Sequence, residues 1–286
     1  MGRKKREWPL FFLCLSAALY GLALIFSATR YEETLHGLVG KQAVALGGGV
    51  VLCLLLSVLD VRKLLEKLWW LLPVVNVGLL LLLVPLGNDD GTGNKSWISL
   101  PGGGFNLQPA EVVKISFLLL LALQLRKLGE KGLNRPKAVF LLLLHVLALC
   151  ALLYGVSGDI GMVAVYLAVY LVMLWSAGVH PLWLLGEVAA GVGAVVLLWP
   201  RLPEYVRMRF LVVFDHGLDP LGKGFQQERS LLAIGSGQVT GQGYLQGTQT
   251  QSPSPSALPA RHTDFIFSVA GEELGLVGCL LILALL

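Results

Sequence analysis

The sequence predicts an all-α membrane protein, a polytopic bundle of transmembrane helices. Two features of the composition predict it, because 55% of the 286 residues are hydrophobic and only 14% are charged, whereas a soluble domain usually carries about 25% charged residues. The third feature is the arrangement of the apolar residues in long runs that are separated by polar segments. The net charge of +4 is too small and too dispersed to indicate a protein that binds nucleic acid.

About eight apolar runs are long enough to be membrane spans. The first run follows a basic tail, and because further spans follow it, we interpret it as an uncleaved helix rather than as a signal peptide. The eighth run begins at Phe265 and continues to the last residue, Leu286. In chain order, the predicted spans are 9–26, 44–59, 68–86, 110–125, 138–154, 160–176, 182–198 and 265 onward.

The basic residues between the spans predict the orientation of the chain. Segments 60–67 and 126–137 are rich in Lys and Arg, whereas segments 28–41 and 87–109 are nearly neutral. Because short basic connections accumulate on the cytoplasmic side, we expect a cytoplasmic N-terminus and a large extracellular loop at 200–263. A connection of this length is uncommon and is usually functional.

The composition of this loop changes along its length. Its first part, 201–227, mixes charged and polar residues, its middle, 233–247, is rich in glycine, and its end, 252–259, is rich in Ser and Pro. The last part must be extended or turned. The glycines are consistent with an anion-binding nest or with a flexible loop, and we favour the flexible loop.

Asp264 lies at the seam between the loop and the eighth span, and Glu272 and Glu273 follow it in the span. An acid at a membrane boundary needs a partner, a water-filled cavity or a function. The residues alone leave two explanations for Asp264. It either caps the helix that it begins by accepting N–H bonds from the first turn, or it is a partly desolvated carboxylate that acts as a general base.

Several spaced motifs accompany this seam. They are WIS at 97–99, QPAEVVK at 108–114, GDIG at 158–161, DPLGKGFQQ at 219–227, AIGSGQ at 233–238 and HTDFIFSVAGEELGLVG at 262–278. Together they closely resemble the signature of the SEDS family, the RodA, FtsW and SpoVE proteins of bacterial cell-wall synthesis. The resemblance extends from about Trp8 to Leu286, and the short N-terminal tail and segment 95–99 favour the RodA type slightly.

Five positions depart from the family pattern. Where the pattern has Ser, Pro, Thr, Gly and Glu, this chain has respectively Ala110, Gly158, Met162, Gln238 and Ala260. The family also has ten spans, with a further motif after the eighth. We therefore expect 1–286 to be a single domain of this type that is incomplete at its C-terminus.

The resemblance implies a glycosyltransferase of the bacterial cytoplasmic membrane that polymerises lipid II into peptidoglycan during elongation or division. The 4-hydroxyl of an acceptor lipid II would attack C1 of a donor, undecaprenyl pyrophosphate would leave, and the anomeric centre would invert. The implied partners are lipid II, membrane lipids and a class B penicillin-binding protein that carries the transpeptidase. Two alternatives stay open, a lipid II transporter, which broken helices and charges at the bilayer midplane would favour, and a non-catalytic scaffold.

The family's base corresponds to Asp264. Glu111 and Lys114 are three residues apart and share one helical face, so they form either a structural ion pair or a pair that serves the substrate. In the second case, Glu111 would tune Asp264 and Lys114 would meet the pyrophosphate. For Asp159, at the start of the sixth span, we expect a capping role.

Four further residues complete the predicted substrate-binding set. Arg207 and Arg209 alternate, so a strand would align their guanidinium groups towards a pyrophosphate and a helix would splay them. Gln226 and His262 belong to the matched motifs. No spacing of His, Cys or carboxylates predicts a metal site, and no cofactor is certain. Basic side chains or a divalent cation, Mg²⁺ or Mn²⁺, are expected to offset the charge of the leaving pyrophosphate.

Overall fold

The computed structural model describes residues 8–31, 35–88, 94–99, 106–130, 132–202 and 204–286. They form twelve α-helices and three short antiparallel strands in the order β1-β2-β3. The basic N-terminal tail lies outside the described residues. The helices are α1 Trp8–Thr29, α2 His36–Val58, α3 Val61–Leu68, α4 Leu71–Leu81, α5 Leu83–Leu86, α6 Pro109–Gly129, α7 Pro136–Ser157, α8 Ile160–Ser176, α9 Pro181–Leu198, α10 Glu204–Leu211, α11 Lys223–Gly237 and α12 Ile266–Leu285, and the strands are β1 Gly87–Asn88, β2 Trp97–Ser99 and β3 Asn106–Leu107.

All eight predicted spans are helical in the described chain. Five helices are long and apolar enough to cross a membrane, and two shorter apolar helices, Leu71–Leu86 and Ile160–Ser176, match two more spans. The remaining span is α6, which is 21 residues long and carries four charged side chains. The prediction of an all-α polytopic membrane protein is confirmed. The five long helices are Trp8–Thr29, Gly37–Val58, Pro136–Ser157, Pro181–Arg201 and Ile266–Leu285.

Proline and glycine set several helix boundaries. Proline occupies the first position of α6, α7 and α9, where its missing N–H is not needed. Helix α7 ends at Ser157, and the following Gly158 has a left-handed φ of 71°, so the Pro of the family pattern would not fit this backbone. Asp159 then caps α8 by accepting the N–H of Met162 at 3.0 Å, as predicted.

The third predicted span, 68–86, is interrupted. Helix α4 ends at Leu81 and α5 begins at Leu83. Pro85 has no N–H to donate to the carbonyl of Leu81, which ends the regular hydrogen-bond ladder there. A separate short helix, α3, occupies the connection that we predict to be cytoplasmic.

The described residues divide into two compact units. One contains the chain up to Leu59 together with Trp199–Leu286, and the other contains Asp60–Leu198. In the first unit, α1, α11 and α12 pack around residues that include Val269 and Ala270. In the second, α4, α6, α7 and α8 pack around residues that include Phe117 and Tyr166. This packing does not test the prediction of a single domain over 1–286, which stays a prediction.

The 200–263 loop is more structured than its composition predicts. It contains α10 and α11, and Gly235 and Gly237 of the glycine-rich middle lie in α11. The expectation of a flexible loop at 233–247 is therefore wrong, because helix formation and hydrogen bonds to α12 hold this segment. The Ser- and Pro-rich end, 252–259, consists mostly of turns, as predicted.

Candidate functional site

Glycines allow α11 and the segment after it to approach α12 closely. A Cβ atom on Gly237 would lie 1.8 Å from the carbonyl oxygen of Gly271, and one on Gly241 would lie 2.1 Å from that of Glu273. Gly241 and Gly275 also have φ values of 81° and 66°, which L-residues rarely adopt. The glycine-rich sequence thus serves close packing of backbone on backbone.

Helix α12 is broken at Gly275, where φ and ψ are 66° and −160°. The N–H of Leu276 donates to the carbonyl of Gln238 at 2.9 Å, and the N–H of Val277 donates to that of Val239 at 3.3 Å. The N–H groups that the break frees are therefore bonded by the segment after α11, as the interior of a membrane requires.

Glu272 is fully buried on α12 and holds the 248–250 segment. Its Oε1 atom accepts hydrogen bonds from Thr248 Oγ1 at 3.1 Å and from the N–H of Gln249 at 2.7 Å. Its Oε2 atom accepts two more from Thr250, from the N–H at 2.8 Å and from Oγ1 at 2.6 Å. Four neutral donors thus satisfy a carboxylate that would be costly to bury without partners.

Glu273 is equally buried but holds different parts of the first unit. Its carboxylate accepts hydrogen bonds from Ser27 Oγ at 2.6 Å, from the N–H of Leu245 at 3.1 Å and from Gln251 Nε2 at 2.6 Å. Ser27 lies on α1, so Glu273 joins α1, Leu245 and Gln251 to α12. Burial and the neighbouring Glu273 raise the pKa of Tyr244.

A tight turn carries Asp264. The carbonyl oxygen of Ala260, whose φ is 48°, accepts hydrogen bonds from the N–H groups of Thr263 at 3.1 Å and Phe265 at 3.2 Å. These two residues flank Asp264 on either side. The adjacent Arg261 is buried, and its Nη1 atom donates to the carbonyl of Thr250 at 2.6 Å, so the turn is joined to the segment that Glu272 holds.

The carboxylate of Asp264 is exposed and accepts no hydrogen bond within the described residues. The capping residue of α12 is Phe265, and no side chain caps this helix. The capping explanation for Asp264 is therefore not supported. Asp264 instead lines a cleft of about 380 Å³, together with Val212, Lys223 and Gln227.

Sequence reasoning did not assign Lys223 and Gln227 to the site. Both lie on α11, four residues apart and hence on the same helical face. Lys223 Nζ donates to Oε1 of Gln226 at 3.2 Å, and Oε1 of Gln227 is buried with no partner in the described part of the chain. The i, i+4 spacing within DPLGKGFQQ was the signal that could have identified them. The cleft is thus lined by side chains that carry a carboxylate, a cation and an amide.

Apart from Asp264, none of the predicted site residues of the first unit is among the described residues that line the cleft. Gln226 contacts it through Lys223, and His262 is half-buried two residues before Asp264. Arg207 and Arg209 lie on α10, which is a helix and not the strand that would align them. Within the described residues, Arg207 Nε is buried without a partner, whereas the side chain of Arg209 lies outside them.

Glu111 and Lys114 lie on α6 in the second unit. Lys114 Nζ donates to both carboxylate oxygens of Glu111 at 2.8 Å, so the ion-pair alternative is realised in the structure. Lys114 is the more buried partner, with 22% of its side chain exposed against 54% for Glu111. A role of this pair in substrate binding stays a prediction.

The cleft offers few ligands for a metal ion. In the described residues, no group of three or more His, Cys, Asp and Glu side chains is arranged to hold one. Among the described residues that line the cleft, Asp264 is the one carboxylate. These residues do not by themselves make a site for a divalent cation, and the expectation of Mg²⁺ or Mn²⁺ stays a prediction.

Comparison with known proteins identifies similar sequences. The model of the cell cycle protein family of FtsW, RodA and SpoVE matches residues 8–286. A probable peptidoglycan glycosyltransferase FtsW of Geobacter metallireducens is 32% identical over 98% of this chain and 74% of the relative. A protein of the same name from Haemophilus influenzae is 34% identical over 73% of this chain and 51% of the relative.

Solved structures show the same architecture. A chain from a peptidoglycan synthase complex that coordinates polymerization and crosslinking superposes with a TM-score of 0.75, at 29% identity, over 99% of this chain and 75% of that chain. The rod shape determining protein RodA of Thermus thermophilus gives a TM-score of 0.64 at 26% identity, over 99% of this chain and 72% of that one. The similar sequences are named FtsW and a similar solved structure is named RodA, so the slight preference for the RodA type stays a prediction. Because the family model covers nearly the whole chain and the Geobacter relative exceeds 30% identity, this chain belongs to the FtsW, RodA and SpoVE family, the SEDS family of multi-pass membrane peptidoglycan glycosyltransferases.

Proposed function

We propose that this chain polymerises lipid II into glycan strands with Asp264 as the general base. The observation that carries the proposal is the cleft, where a carboxylate with no hydrogen-bond partner among the described residues stands near Lys223 and Gln227. A general base must have a free lone pair within reach of the proton that it removes. Asp264 has free lone pairs that face the cleft, which supports the proposal, whereas Glu272 and Glu273 use their oxygens on the protein itself.

In the proposed reaction, Asp264 takes the proton of the 4-hydroxyl of the acceptor GlcNAc. The hydroxyl oxygen forms a bond to C1 of the donor MurNAc, and the bond from C1 to the pyrophosphate oxygen breaks. The electron pair leaves on undecaprenyl pyrophosphate, and the configuration at C1 inverts. We propose that Lys223 and Arg207 stabilise the negative charge of the leaving group. Gln226, Gln227 and His262 would bind the sugars.

The break in α12 at Gly275 is a feature that the transporter hypothesis also predicts. Here the freed N–H groups donate to Gln238 and Val239, and the nearby Glu272 and Glu273 are satisfied by the protein. The N–H groups of Leu276 and Val277 and both glutamates are thus bonded within the protein, which does not support a role for them in binding a transported substrate. The geometry therefore favours the enzyme.

We place the protein in the bacterial cytoplasmic membrane with its N-terminus in the cytoplasm, since the basic residues of the short connections support this orientation.

We also propose a class B penicillin-binding protein as partner, because a similar solved chain comes from a peptidoglycan synthase complex. Purification of the protein from its native membranes with mild detergent tests this partner. We expect a penicillin-binding protein to co-purify, and a complex that contains none would contradict the assignment.

The decisive test of the proposed function is the Asp264→Asn variant. The purified variant is incubated with lipid II, and the length of the glycan strands is measured. Asn keeps the size of the side chain but accepts no proton at neutral pH, so we expect a loss of about 10²–10⁴-fold. Asp159→Asn is the matched control, because Asn can still cap α8 and its activity should be unchanged. Near-normal strands from Asp264→Asn, in protein that reaches the membrane normally, would refute the role of general base.

A further inference from the structure

Three hydrogen-bonded steps connect the buried Glu272 to Asp264. Glu272 Oε2 accepts from both the N–H and the hydroxyl of Thr250, at 2.8 and 2.6 Å. The carbonyl of the same Thr250 accepts from Arg261 Nη1 at 2.6 Å. Arg261 follows Ala260, whose carbonyl accepts the N–H groups on both sides of Asp264. The chain of contacts ends at the turn that presents the Asp264 carboxylate to the cleft.

We infer that Glu272, Thr250 and Arg261 are positioning residues that fix the Asp264 carboxylate for proton abstraction. This inference rests on the proposed function, because it assigns these residues to the work of the same site. None of the three lines the cleft, so none is placed to touch the substrate there. Each acts through the backbone of the 260–265 turn.

The burial of these groups is what makes them suitable for this role. Glu272, Thr250 and Arg261 are 0%, 1% and 2% exposed, so water does not compete for their hydrogen bonds. Asp264 itself has no side-chain partner among the described residues that could orient it. Its position must therefore come from its backbone, and a displacement of about 1 Å at a reacting group can cost on the order of 10²-fold in rate.

Glu272→Gln tests the first step with little change of shape. The amide offers one acceptor oxygen where the carboxylate offers two, and its NH₂ group must face one of the two pairs of donors. The 248–250 segment must then shift, and Arg261 must follow it. We expect a fall in kcat of about 10²-fold, with KM for lipid II nearly unchanged, because the groups that line the cleft are retained.

Glu273→Gln is the matched control. The residue is the next one on α12, is buried to the same extent and loses an equivalent acceptor. Its partners are Ser27, Leu245 and Gln251, whereas Arg261 Nη1 donates to the carbonyls of Thr250 and Ser252. We expect Glu273→Gln to lower the unfolding temperature while the kcat of the folded protein stays within a factor of about three.

A second pair of variants decides the matter if Glu272→Gln does not accumulate in the membrane. Thr250→Val keeps the shape of the side chain but removes the hydroxyl that donates to Glu272, whereas Thr250→Ser keeps it. We expect Thr250→Val to lower kcat and Thr250→Ser to restore it. A purely structural role would lower the unfolding temperature of Thr250→Val and leave the kcat of folded protein unchanged.

The double variant separates this inference from the proposed function. If Glu272 acts through Asp264, adding Glu272→Gln to Asp264→Asn should cause no further loss of rate. An Asp264→Asn protein with near-normal activity would overturn the proposed function. An inactive Asp264→Asn protein combined with equal kcat values for Glu272→Gln and Glu273→Gln would leave the general base intact and overturn the positioning role.

Discussion

Gly237 is a point of close backbone contact between α11 and α12, and Gly237→Ala should separate the two helices. The added Cβ atom would lie 1.8 Å from the carbonyl oxygen of Gly271 and 2.8 Å from that of Glu272. The first distance is about half of an ordinary carbon–oxygen contact. Both atoms belong to the backbone of α12, so no side chain can rotate to relieve the overlap, and one helix must move.

The expected loss of stability follows from two opposing effects. Replacing Gly by Ala inside a helix is by itself favourable by about 1 kcal/mol. Overpacking a close-packed contact costs about 1–3 kcal/mol, and a clash between two backbones lies at the upper end. We therefore expect Gly237→Ala to lower the free energy of unfolding by about 2 kcal/mol, and to lower activity as well, since α11 carries Lys223 and Gln227.

Gly235 provides the control in the same helix. It is exposed, and a Cβ atom there would meet nothing within 4 Å. Gly235→Ala should therefore stabilise the protein by up to about 1 kcal/mol. Thermal unfolding of both variants in detergent, followed by the loss of monodisperse protein, gives the two shifts. Equal unfolding temperatures for the two variants would refute the close contact of α11 with α12.

Two further predictions concern the same loop. Gln238 has φ and ψ of 52° and −132° at a position where the family pattern has Gly, so Gln238→Gly should raise stability by about 1 kcal/mol. An unchanged or lower unfolding temperature would contradict that strain. Ser236 is exposed on α11. Because the proposed orientation places the loop outside the cell, Ser236→Cys in a cysteine-free background should react with an impermeant thiol reagent in intact cells. Labelling only after lysis would reverse the proposed orientation.

The membrane helices could be predicted from sequence because the hydropathy of each apolar run is sufficient to identify it as a helix. A long apolar run in a membrane must satisfy its backbone groups internally, and a helix does this without help from other segments. The interruption at Leu82 was also accessible in principle, since Pro85 is visible in the sequence. The second helix begins at His36, eight residues before the predicted 44, because the polar and glycine residues ahead of the apolar run are also helical.

The glycine-rich segment could not be predicted in the same way. Composition does not distinguish a glycine that gives flexibility from one that permits contact with another backbone. Gly237 and Gly241 contact α12, which lies about 30 residues further along the chain. Similarly, Lys223 belongs to the cleft with Asp264 only because α11 packs on α12. These placements depend on tertiary contacts, which a local pattern does not contain.

The three acids of the 264–273 segment differ in their hydrogen-bond partners, and this difference distinguishes the candidate base from the other two. From sequence, all three are acids near a membrane, and each needs either a partner or a task. Glu272 has four donors and Glu273 has three, with both side chains fully buried, so their cost of burial is already offset by the fold. Asp264 has no partner among the described residues and faces a cleft, which leaves its lone pairs available to a substrate hydroxyl. The same rule that explains the burial of the two glutamates therefore makes Asp264 the candidate base. The proposed positioning role belongs to Glu272, because Thr250 and Arg261 join it to the turn that carries Asp264.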